Sequence, residues 1–295
     1  MPDIALRFNK DMLTLSTPVQ NALARQGVDV DADLEYQLLM EPEAIVDAIR
    51  LEAAAGAQCL VVPTEGITAA RLSHKRMEGK ARDLAHAACV CANEVKPQHV
   101  IAAIGPSGLP IDPSSKASLN ENRAQYADAA RAFQGETFDA LLLDGFTRKE
   151  DLMCALMGLA QVGDTPVLAS VVVDSDGVTP RGDTIEDMCA LMQEYGASVV
   201  GFSTSAAPVV AAKLVRRAAS ACSLPILVQL DVHEVNPRQF EATDQNPYYR
   251  PDEMVIAAAH LHAAGAQFIR AIGAATPSYT GAIAATTGGL DVRLS

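Results

Sequence analysis

The chain has 295 residues, 49% hydrophobic, 20% charged and only 4% aromatic with no Trp, enough to bury a large core as one long domain or as two. A net charge of -13 and a pI near 4.8 leave no basic face to neutralise phosphates, which argues against nucleic acid and anionic membrane and for a small-molecule substrate or a protein partner. No stretch approaches the roughly 18 apolar residues of a membrane span, and Asp3, Arg7, Lys10 and Asp11 interrupt the first residues, so neither a span nor a signal peptide is expected and the cytoplasm is.

In chain order, a first strand is expected over residues 4–8 or 12–15. The segment LEAAAGAQCLVV (51–62) then joins a helix end, a Gly, an Ala and a continuous apolar run, and MQEYGASVVGF (192–202) and LHAAGAQFIRA (261–271) repeat that construction. Gly56, Gly196 and Gly265 suit the left-handed conformation that ends a helix, and apolar runs without alternation belong to strands buried on both faces of a parallel sheet. HVIAAIG, FDALLLDG, PVLASVVV and PILVQLD supply further strands, separated by helices near 124–133, 149–159, 184–192 and 251–262. About eight strands alternating with helices, with no Pro, Gly or Ser-rich linker, give an α/β fold that is a single (β/α)8 TIM barrel over residues 1–295. No Gly-rich fingerprint follows the first strand, which weighs against an open dinucleotide-binding sheet.

None of the six cysteines, Cys59, Cys89, Cys91, Cys154, Cys189 and Cys222, forms a CxxC pair, and buried reduced thiols are expected. Cys89 and Cys91 fall two apart in a helical run and point about 200° from each other, which does not suit a shared metal.

A barrel of this kind assembles its chemistry at the C-terminal ends of its strands. Those ends carry Thr64 and Glu65, Asp144, Ser203 and Thr204, and Asp231, His233 and Glu234. Asp144 ends an apolar strand, where a carboxylate is costly to bury without a partner; the plain alternative is a cap for the helix at residue 149. Asp231 and His233 share one strand face, where a carboxylate can orient an imidazole for proton transfer, or they simply begin a solvated loop. Glu65 suits either a ligand contact at raised pKa or a buried pair with a distant Arg. The irregular stretch 233–250 is long enough to be a lid, a binding loop or a subunit contact.

These segments resemble the homocysteine S-methyltransferase family, whose barrel also opens cobalamin-dependent methionine synthase. STPVQNALARQGVD (16–29), TEGITAARL (64–72), AAIGPSG (102–108), LLLDGFTRKEDL (141–152), DSDGVTPRGDTIEDMCALMQEYGASVVGFSTSAAP (174–208) and RAIGAATPSYTGAIA (270–284) are similar to the family's motifs in the same order. The resemblance implies a methyltransferase with a substrate contact at Asp144, and a zinc held by three cysteines, one after strand six and two adjacent ones at strand eight. Those positions carry Thr204, Ile272 and Gly273 here, so zinc is not expected.

The expected function is therefore zinc-independent transfer of a methyl group between a small, cationic substrate and a corrinoid, folate or similar carrier, with no cofactor bound tightly and a separate corrinoid protein or a further subunit as partners. Asp231 and His233 would move protons, and Thr64, Glu65, Asp144, Ser203, Thr204 and Glu234 would bind substrate. Two alternatives stay open: a non-catalytic binding subunit derived from the family, and homocysteine methylation on a metal relocated to His233, Asp231 or Glu234.

Overall fold

The computed structural model describes residues 3–234 and 238–293. Its strands are β1 (Leu13–Thr14), β2 (Cys59–Val62), β3 (His99–Ile104), β4 (Ala140–Phe146), β5 (Val167–Val172), β6 (Val199–Thr204), β7 (Ile226–Val232) and β8 (Phe268–Gly273). Helices α1 (Gln20–Arg25), α2 (Val30–Met40) and α3 (Pro42–Ala55) lead into β2, and α4 (Ala69–His74) and α5 (Ala81–Glu94) into β3. From there α6 (Lys116–Ala132), α7 (Lys149–Leu159), α8 (Ile185–Glu194), α9 (Pro208–Ala221), α10 (Asp252–Ala264) and α11 (Pro277–Thr287) follow β3 to β8 in turn.

All strands pair in parallel in the order β1-β8-β7-β6-β5-β4-β3-β2. The ring closes between its end strands, where Gln58 N donates to Thr14 O and Ser16 N to Cys59 O, each at 2.9 Å. The expected TIM barrel is therefore present, and a closed sheet leaves no unpaired edge.

Of the two positions expected for the first strand, the later one holds, with Leu13–Thr14 inside residues 12–15. Ile4–Arg7 is a 3₁₀ helix, not a strand. It plugs the barrel floor with Ile4, fully buried, while Phe8 meets Phe268 edge-on at 5.9 Å.

Along each strand, alternate side chains divide between two cores. Leu13, Val61, Ile101, Leu142, Leu168, Val199, Leu227 and Phe268 fill the lumen, and their sequence neighbours, such as Val62, Leu143, Val200 and Ile269, pack under the helices. Burial on both faces explains why these strands read as continuous apolar runs. Gly56, at φ +104°, ends α3 in the left-handed region, and a Cβ there would come within 2.9 Å of Ala284 on α11. Among the described residues no helix is long and apolar enough to cross a membrane.

Candidate functional site

Above the apolar floor the lumen-facing positions of four strands turn polar: Asp144 on β4, Ser170 on β5, Gln229 on β7 and Arg270 on β8. They form one connected layer. Arg270, only 1% exposed, donates Nη1 to Asp144 Oδ2 at 2.9 Å and to Gln229 Oε1 at 3.0 Å, and Nε to the Ser16 carbonyl at 2.9 Å. Gln229 Nε2 donates to Asp144 Oδ1 at 2.7 Å and Ser170 Oγ at 2.9 Å. A guanidinium this deep is tolerable only because a carboxylate and further acceptors surround it.

A second buried carboxylate stands behind β1. Glu52 of α3 accepts from Thr17 N at 3.1 Å, from the Thr17 hydroxyl and from Thr280 Oγ1 at 2.6 Å. Burial raises its pKa, against the opposing effect of those hydrogen bonds and of Arg270. Thr17 follows Ser16, so Glu52 braces the backbone that receives Arg270.

Over this layer opens a pocket of about 400 Å³, between β4 and β8 on one side and α2 and α4 on the other. Glu65 lines it just after β2 and accepts from Gln20 Nε2 at 3.0 Å. Burial raises the Glu65 pKa, with Arg270 opposing the shift and Asp144 adding to it. Glu65 is held over the end of β3 by the Gly105 N–H, which donates to its carbonyl at 2.9 Å; a Cβ on Gly105 would stand 3.0 Å from that oxygen. On the outer wall Lys75 pairs with buried Glu35, whereas exposed Arg71 makes no hydrogen bond or ion pair among the described residues. Asp31, Glu35, Glu65 and Asp144 thus face Arg71, Lys75 and Arg270, so the mouth is mixed in charge rather than acidic.

The other expected site residues scatter. Asp231 faces the lumen beyond Gln229, and burial raises its pKa with His233 opposing. His233 lies past the end of β7, exposed, with no hydrogen bond or ion pair to Asp231, and Glu234 is exposed beside it. Thr64 is buried, its hydroxyl donating to Ala103 O at 2.8 Å, which ties the strand end rather than offering a free group. Ser203 lies on the lumen side of β6, while Thr204 falls on the outward face with Val200 and Phe202, and its Oγ1 accepts from Ala206 N at 3.2 Å. In the long segment after β7, Tyr248 is fully buried and donates to Ala206 O at 2.5 Å; residues 235–237 lie outside the described residues.

Zinc held by sulfur does not fit this mouth. Cys59 sits at the start of β2 and Cys89, Cys91, Cys154, Cys189 and Cys222 lie on helices or at a helix end, away from the strand ends. At Gly273, φ is +65° and a Cβ would run into Asp231 Oδ1 and the Val232 carbonyl, so a cysteine has no room there. Among the described residues no group of three His, Cys, Asp or Glu side chains is placed to hold a metal, the Asp231, His233 and Glu234 region included.

Arg270, Gln229 and Ser170 escaped the sequence reading. The signal was available: a charged residue inside FIRAIG and an amide inside ILVQLD interrupt runs that are otherwise apolar.

The homocysteine S-methyltransferase family matches residues 14–286. No curated protein matches the sequence. Among solved structures, the metallated form of the homocysteine methyltransferase MmuM from Escherichia coli is 17% identical, with a TM-score of 0.76 over 93% of this chain and 96% of that one. Its oxidised form gives 0.77 at the same identity and coverage. A Y628A carboxyl transferase domain of Rhizobium etli pyruvate carboxylase is 13% identical, with a TM-score of 0.55 over 95% of this chain and 44% of that one. At these identities the likeness is one of fold.

Proposed function

Because the chain belongs to the homocysteine S-methyltransferase family, we propose that it is a methyltransferase that acts on a small zwitterionic substrate in the pocket between Glu65, the Asp144–Arg270 pair and Arg71, without sulfur-held zinc. The observation that carries this reading is Glu65 itself, a carboxyl of raised pKa lining a pocket of mixed charge.

Methyl transfer to a thiol, amine or hydroxyl needs the nucleophile to lose its proton as the new bond forms. With no thiolate-generating metal, a carboxylate must take that proton, and one with a raised pKa does so more effectively near neutrality. Glu65 is that base. Arg71 receives the substrate carboxylate, and Arg270, held by Asp144, Gln229 and Ser16, fixes the floor. Both Asp144 oxygens are already engaged, so a substrate's positive group belongs nearer Glu65 and Glu35 than on Asp144 alone. Asp231 is the second carboxylate available, on the β7 side. The rest of the catalysis is positioning of acceptor and donor in line.

The test is an assay of purified protein with small amino-acid acceptors that carry a thiol, amine or hydroxyl, each with a betaine-like, methyl-corrinoid, methyl-folate or sulfonium donor. Transfer that falls in Glu65→Gln supports the reading; undiminished transfer in that variant removes Glu65 from the chemistry. Substrate-dependent thermal stabilisation without transfer from any donor would instead favour a binding subunit.

A further inference from the structure

At the opposite end of the barrel, α8 and α9 bring two cysteines together. Cys189 is fully buried on the inner face of α8, and Cys222 ends α9, the only one of the six cysteines not buried. The position of Cys222 is fixed by its neighbour. Ser223 donates its N–H, at 2.9 Å, and its hydroxyl, at 3.2 Å, to Gln193 Oε1, one helical turn beyond Cys189 on the same face of α8. The Cys222 thiol donates to the Ala218 carbonyl at 3.4 Å. On its other side it lines a cavity of about 310 Å³ that opens at the N-terminal rim of the barrel, formed with Ala219, Leu224, Pro225 and Gln267. Coupling between the two thiols lowers the pKa of Cys222 to about 7 and raises that of Cys189 far above the ordinary thiol range.

We propose that Cys189 and Cys222 are a peroxide-sensitive dithiol, a modification site separate from the pocket at the strand C-termini. The Cys222 thiolate attacks the peroxide O–O bond, giving a sulfenic acid and releasing hydroxide or alkoxide. Cys189 then attacks that sulfur; the S–O bond breaks, and the hydroxyl leaves with the Cys189 proton as water. The two thiols are oxidised to a disulfide and one peroxide is reduced. A reductant of the thiol class reverses it. The disulfide would bolt α8 to α9 from the floor side.

The test uses the whole chain treated with hydrogen peroxide, digested without reductant and mapped by mass spectrometry. The expected result is a 189–222 crosslinked peptide, lost on thiol treatment, and rapid alkylation of Cys222 with half-maximal rate near pH 7. In Cys189→Ala the sulfenic acid at Cys222 persists and is trapped by dimedone, and in Cys222→Ser no crosslink forms. Peroxide that leaves both thiols intact, or a crosslink joining either one to another cysteine, overturns the proposal.

Discussion

Arg270 on β8 and Asp144 on β4 meet across the barrel lumen, Nη1 to Oδ2 at 2.9 Å, although they lie 126 residues apart in the chain. Gln229 bridges the same two groups, accepting from Arg270 and donating to Asp144, so the three side chains form a closed triangle with Gln229 and the guanidinium buried and Asp144 at the pocket side. Removing Asp144 would strand the buried guanidinium without a counterion, whereas Asp144 itself keeps contact with the pocket.

Arg270→Met is accordingly expected to lower stability, by less than the roughly 3–5 kcal/mol of a fully buried pair, since it leaves Asp144, 16% exposed at the pocket floor, without its counterion. Arg270→Lys is expected to fall well short of rescue, because a point ammonium cannot serve Ser16, Gln229 and Asp144 from one planar fork. Urea unfolding of both variants and of Arg270→Met combined with Asp144→Leu checks this. The double variant should recover part of the loss; strictly additive losses would show that the pair is not coupled.

The pH dependence of turnover follows from Glu65. Its pKa is raised chiefly by burial, so the active carboxylate form is lost, as pH falls, at a pH above the usual carboxylate range. The wild-type rate should therefore show an acid limb displaced upward. In Glu65→Gln that limb should vanish and the rate drop on the order of 10²- to 10⁴-fold. A variant that keeps the same limb would assign it to another group, with Asp231 the next to examine.

His233 is exposed, beyond the end of β7 and unbonded to Asp231, so His233→Ala should leave both kcat and KM within about twofold, a change worth less than ~0.5 kcal/mol. A large loss in kcat alone, measured at saturating substrate, would return it to the proton-transfer step.

Glu52 gives a stability signature. Its folded pKa is raised, so between the unfolded and folded values the native state binds the proton more tightly. Its contribution is then fully present below the ordinary carboxylate pKa and is lost as pH rises through the raised folded value. Glu52→Gln should flatten that decline in a series of denaturant titrations across acid to neutral pH. Parallel curves for wild type and variant would show that Glu52 titrates alike in both states.

The architecture was legible because burial on both strand faces forces long apolar runs, and because Gly56, Gly196 and Gly265 mark helix ends that the structure places at φ +104°, +86° and +98°. The first strand was harder to read, since β1 is only Leu13–Thr14 and the apolar residues before it form the 3₁₀ plug. Strand ends identified Glu65 and Asp144 by position alone. They did not reveal that Asp144 is bound on both oxygens, because its partners lie on β7 and β8 and only closure of the ring brings them near. Alternation also separates neighbours that sequence treats alike: Ser203 faces the lumen and Thr204 the helices.

That same alternation bears on whether the family's sulfur ligands can be restored. Thr204 points outward, Ile272 inward, and Gly273 occupies a left-handed conformation against the Asp231 carboxylate and the Val232 carbonyl. Any side chain at Gly273 meets backbone strain on the order of 1–2 kcal/mol and must also displace Asp231. Gly273→Ala should therefore be measurably less stable than wild type. Combining Gly273→Cys with Ile272→Cys and Thr204→Cys should fail to bind zinc stoichiometrically in equilibrium dialysis followed by metal analysis. One zinc per chain in that variant would show that β6 and β8 can turn their ends toward a common centre, and the steric argument at Gly273 would fall with it.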